Sequence, residues 1–141
     1  MERDYHGGLD QNLISLRVKV GTPATVYSNA FQRLSGGQKI IKGESSMTSN
    51  GNIATVAIGN AGQLKNTKMV VQTTVDFRAL PDDVQDAIRN DPHAFKTNLV
   101  IEYTFDGGFS GLQTFDYDYD DYVMGRTQTV AVVTKEINLQ Q

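Results

Sequence analysis

The strongest constraint on this chain is an apolar period of two that recurs in one segment after another. In "NLISLRVKV", Ile14, Leu16, Val18 and Val20 fall on one side of an extended backbone, and Ser15, Arg17 and Lys19 on the other. The same alternation places Met69, Val71, Thr73, Val75 and Phe77 together in "KMVVQTTVDF". It does so again for Leu99, Ile101, Tyr103 and Phe105 in "NLVIEYTF", and for Ala131, Val133, Ile137 and Leu139 in "TQTVAVVTKEINL". A strand with one apolar face must cover it with another such face, so the predicted fold is mainly β. It is a single-domain antiparallel β-sandwich of about eight strands, with a jelly roll as one form of it.

Turn residues punctuate these runs. Gly21-Thr22-Pro23 ends the first, because proline cannot donate to a ladder. Asn50-Gly51, between 38–48 and 52–59, supplies the positive φ angles of a tight turn and predicts a hairpin. "DGGFSG" (106–111) predicts a second hairpin, joining 98–105 to 112–124. The period changes once, in "LPDDVQDAIRN": Asp82 and Asp83 suit a first helical turn, Val84 and Ile88 lie four apart, and Arg89 comes near the end. One short helix is expected near 81–90. Residues 1–11 carry no period and read as a flexible N-terminal tail to a domain spanning 12–141.

Composition narrows the chemistry. Among 141 residues there is no cysteine, which removes disulfides, thiolate metal sites and thiol nucleophiles. No apolar run approaches the ~18 residues of a membrane span, so no transmembrane segment is expected. "MERDYHGGLDQN" has no apolar core of the kind an intact secretory signal carries. The net charge of −3 is unevenly spread: residues 1–75 balance at +4 and residues 76–124 at −8. With a pI near 5.2, nucleic acid is not an expected partner.

Leu34-Ser35-Gly36-Gly37-Gln38 is identical to the "LSGGQ" signature of ABC transporter ATPases, a resemblance confined to these few residues. Such an ATPase also needs a G-x-x-x-x-G-K-[ST] phosphate loop, and none exists here. The segment is therefore read as a Gly-Gly turn between two strands. Enzyme chemistry has little else to work with. His6 falls in the expected tail, His93 is the one candidate base for a serine hydrolase, and no G-x-S-x-G elbow presents a serine. No catalytic residue is assigned.

"FDYDYDDY" (115–122) is the most concentrated chemistry in the chain. Asp116-x-Asp118-x-Asp120 copies the first three positions of an EF-hand loop, but Asp121 stands where that loop needs glycine and Thr127 where it needs glutamate. Read at a period of two, Phe115, Tyr117 and Tyr119 share one face and Asp116, Asp118 and Asp120 the other. Pairing with the preceding strand adds Glu102, with Asp106 and Asp121 close by. Like charges opposed across a ladder repel. This acidic face (Glu102, Asp106, Asp116, Asp118, Asp120, Asp121) therefore calls for a compensating cation, either within the fold, with Arg17 and Lys19 as candidates, or on another molecule.

The expected function follows from that charge split. It is a non-enzymatic structural or protein-interaction sandwich, a homo-oligomer or partner of another protein, whose basic residues Arg17, Lys19, Lys39 and Lys42 meet the acidic face of a neighbour. No cofactor is required. The alternative expectation is a carbohydrate- or lipid-binding module that uses Ca2+, held by Asp116, Asp118 and Asp120, with the tyrosines as stacking surfaces.

Overall fold

The alternating segments fold into two facing sheets in a computed structural model that describes residues 2–9 and 11–141, the side chains of residues 92–94 excepted. One sheet contains β1 (Glu2–His6), β3 (Thr25–Arg33), β4 (Lys39–Glu44), β6 (Thr67–Asp76), β9 (Tyr122–Met124) and β10 (Val130–Gln140). The other contains β2 (Leu13–Gly21), β5 (Ile53–Asn60), β7 (Val100–Asp106) and β8 (Gln113–Asp116). The orders are β1-β10-β6-β3-β4, with β9 also on β10, and β5-β2-β7-β8. Strand neighbours are antiparallel except β1, which runs parallel to β10. The fold is the expected mainly-β, sandwich-like one.

Two helical turns of note interrupt the strands: α1 (Ala61–Leu64) and α2 (Asp82–Asn90), the latter in the expected place with Asp82 and Asp83 at its positive end. The described residues form ten strands where eight were expected. The additional two arise because the tail is a strand and because 112–124 divides into β8 and β9 around a 3-10 turn at Tyr119–Asp121.

The inward phase of each strand forms the core. Ile14, Leu16 and Val18 of β2 and Ile101, Tyr103 and Phe105 of β7 meet Met69, Val71 and Val75 of β6 and Ala131, Val133, Ile137 and Leu139 of β10. All of these are buried, and each large aliphatic contributes roughly 1.5–3 kcal/mol by leaving water. Leu34–Gln38 is the β3–β4 turn, closed by Leu34 N–H on Gln38 O at 2.9 Å, with Gly37 at φ +86°.

Two expectations are corrected here. Asn50 and Gly51 do take positive φ, 48° and 88°, but β4 and β5 do not pair as a hairpin; the turn passes the chain from one sheet to the other. The cause lies in the side chains. Asn50 accepts from Val26 N–H at 2.9 Å and donates to Ala24 O, while Asn52 accepts from Val20 N–H at 2.6 Å, so the turn stitches the ends of β3 and β2. A Cβ on Gly51 would stand 2.5 Å from Val26 Cγ1, which fixes glycine there.

The second correction concerns the tail. Residues 2–6 form β1, with Tyr5 fully buried. Its ring stacks on Phe105 at 5.3 Å, and its hydroxyl donates to Gly111 O at 2.7 Å and accepts from Gly108 N–H at 3.0 Å. The 107–112 loop closes over this strand: Phe109 N–H and Ser110 N–H bond Gly7 O and His6 O, each at 3.0 Å. The strand is held by partners more than one hundred residues away in sequence, so no local period could reveal it.

Candidate functional site

The acidic run meets the fold at a gap in one edge of β10. One edge of that strand is taken by β6 along its length. The other is shared: β9 pairs with Ala131–Val133, and β1 pairs with residues 136–140. Thr134 and Lys135 lie between them. Lys135 occupies the inward phase of β10, between Val133 and Ile137, and is fully buried.

A buried ammonium is costly unless carboxylates surround it. The Tyr119–Asp121 turn brings two. Lys135 Nζ donates to Asp118 Oδ2 at 2.5 Å and to Asp121 Oδ2 at 3.2 Å. From the far side, Arg3 of β1 forks onto Asp118, with Nη2 to Oδ1 at 2.6 Å and Nε to Oδ2 at 3.2 Å. Asp118 N–H donates to Asp121 Oδ2 at 2.7 Å, which locks the turn that presents both acids. Two cations and two anions thus join three separate segments: β1, the run before β9, and β10.

Arg3 and Lys135 together hold the Asp118 carboxyl at about 2, against the opposing push of burial. Phenols surround the cluster. Tyr117 Oη donates to Leu99 O at 2.8 Å, and Lys96 Nζ lies 3.3 Å from the centroid of the Tyr119 ring. The hydroxyls of Tyr103 and Tyr122 are buried without a hydrogen-bond partner among the described residues. Burial, with the Asp121 charge in second place, raises the Tyr103 phenol well above its ordinary range, and burial pushes Tyr122 up to about 12. Both stay protonated at neutral pH.

The remaining acids are dispersed. Strand alternation ends at Asp116, which faces Glu102 across β7 and β8 on the outer side of the sheet. Asp106 ends β7 opposite Ser15, and Asp120 is exposed within the 3-10 turn. Asp116, Asp118 and Asp120 therefore do not share one face, and no group of three or more metal-ligating side chains occurs among the described residues. Of the basic residues, Lys19 lies directly across from Glu102 and Arg17 across from Thr104. Arg17 and Asp106 line a cleft of about 140 Å³ with Ser15, Thr55, Thr104 and Leu112. Lys39 and Lys42 lie elsewhere, on β4 at the margin of the other sheet. The His93 side chain, the one candidate base, lies outside the described residues.

Sequence reasoning missed Arg3 and Lys135. A signal existed for the second: Lys135 is the only charge in the inward phase Ala131, Val133, Lys135, Ile137, Leu139. A lysine in that phase predicts a carboxylate on the segment that covers it. No known protein family model, curated protein or solved structure matches the chain.

Proposed function

We propose that the chain is a non-enzymatic interaction module that assembles with further copies of itself, head to tail, through two sheet edges of opposite charge. What supports this reading is the placement of β4 and β8. Each ends its sheet, and each pairs with one neighbour only among the described residues, so each leaves a row of backbone donors and acceptors open. Strand β4 lies against β5, which puts β8 on the opposite flank.

The two edges are chemically complementary. Strand β4 carries Lys39 and Lys42 around Ile40 and Ile41, which are 43% and 58% exposed. Strand β8 carries Asp116 beside Glu102 and lies next to Asp106 at the end of β7. Strand addition along such an edge takes its affinity from main-chain bonds and its register from the flanking charges. Unlike surfaces give a heterologous contact, which propagates as a ring or fibre.

Light scattering over a concentration series tests the proposal at low and high salt. Oligomers that grow at low ionic strength, dissolve at high salt and vanish in Lys39→Glu/Lys42→Glu are expected. A monomer at low ionic strength and high protein concentration refutes it.

A further inference from the structure

We propose that the folded chain joins its own Lys135 and Asp121 by an amide bond, with Asp118 carrying the proton. The reactants are preassembled. Lys135 Nζ is already 3.2 Å from Asp121 Oδ2, one bond away from the carbon it must reach. Water is kept from the reacting pair: Lys135 is fully buried and the Asp121 side chain is 3% exposed, with buried Tyr122 next in the chain and buried Tyr103 within reach of the Asp121 charge. Asp118, fixed as a carboxylate by Arg3, touches the amine at 2.5 Å. The Asp118 N–H, 2.7 Å from Asp121 Oδ2, is a preorganised donor for the charge that develops on that oxygen.

The step balances without any further reactant. Within the pair, the ammonium gives one proton to the Asp121 carboxylate, leaving amine and acid. The Nζ lone pair forms a bond to Cγ, and Oδ2 takes the negative charge against the Asp118 N–H. The Asp118 carboxylate accepts a second proton from Nζ and delivers it to the departing hydroxyl; the carbonyl re-forms and one water leaves. An ammonium and a carboxylate have become an amide, and Asp118 is again a carboxylate.

Charge selects Asp121 over Asp118 as the acyl partner. Condensation at Asp121 leaves Arg3 and Asp118 as an intact fork, while condensation at Asp118 would strip Arg3 of that partner. It also exchanges two ions held in a low-dielectric interior for one neutral group, which removes their desolvation cost. The bond would fasten the turn before β9 to β10.

The intact mass of the purified full chain is the test. One water less than the sequence mass is expected, together with a branched tryptic product linking 97–126 to 127–141. Lys135→Arg, which keeps the charge but lacks a primary amine, is expected at its full sequence mass. A wild-type mass equal to the sequence mass overturns the proposal. So does a water loss at Asp106-Gly107 with 127–135 recovered as a linear peptide cut after Lys135.

Discussion

Removal of the Tyr5 side chain tests whether β1 belongs to the cooperative fold. Tyr5 is fully buried, stacked on Phe105, with its hydroxyl shared between Gly108 N–H and Gly111 O. Tyr5→Phe keeps the ring and orphans both backbone groups, which costs about 1.5–3 kcal/mol if each bond is worth about 1 and neither group is rehydrated. Tyr5→Ala also loses the ring and opens a cavity, about 3–5 kcal/mol in total. Unfolding entropy of ~2.1 cal/mol/K per residue over 141 residues makes each kcal/mol worth about 3 °C. Melting points about 5–9 °C lower for Phe and about 10–15 °C lower for Ala are therefore expected by circular dichroism. Amide exchange should locate the cause: Gly108 N–H loses protection in Tyr5→Phe before the core strands do. A Tyr5→Ala protein that melts within about 3 °C of wild type, with Gly108 unprotected in both, would refute the reasoning and return residues 2–6 to a frayed tail.

Lys135→Met removes the amine and leaves Asp121 a buried carboxylate with neither cation nor amide partner, which is expected to cost about 3–5 kcal/mol in urea unfolding. Adding Asp121→Asn should recover a large part of that loss, and a double variant no more stable than the single would show that the two side chains are not coupled. Asp118 titrates at about 2 in the fold against an ordinary 3.8, so its stabilisation is present above the unfolded value and disappears as pH falls through the folded one. With solvent on the Arg3 side discounted, that is about 1–2 kcal/mol. In a Lys135→Arg background, where no amide can form, the chain with Asp118 should exceed Asp118→Asn by this amount at pH 6 and converge on it near pH 2; a gap independent of pH would be the contrary result.

What was legible in the sequence was whatever physics operates between near neighbours. Strands β2, β6, β7 and β10 announce themselves because successive side chains face opposite ways, and α2 does so through its changed period and its acidic first turn. Asn50-Gly51 shows the limit of local reasoning. Its backbone conformation follows from the two residues, but the partners of the strands beside it are chosen by Asn50 and Asn52 bonding to β3 and β2. The candidate site divides in the same way. The hairpin that sets Glu102 opposite Asp116 was expected and is present. That the run leaves the strand after Asp116, so that Asp118 and Asp121 turn inward, depends on Lys135 and Arg3, whose positions come from pairings between the most distant parts of the chain.

The edge that β1 and β9 share on β10 also sets a timetable. Strand β10 is made after every strand it joins, and among the described residues β1 pairs with β10 alone. Contacts spanning well over one hundred residues fold slowly. During synthesis β1 must wait for β10, exposing Tyr5 and an unmatched Arg3, while Asp118 and Asp121 wait for Lys135. Completion of the six-stranded sheet thus waits for β10, and β1 and β10 commit to it together.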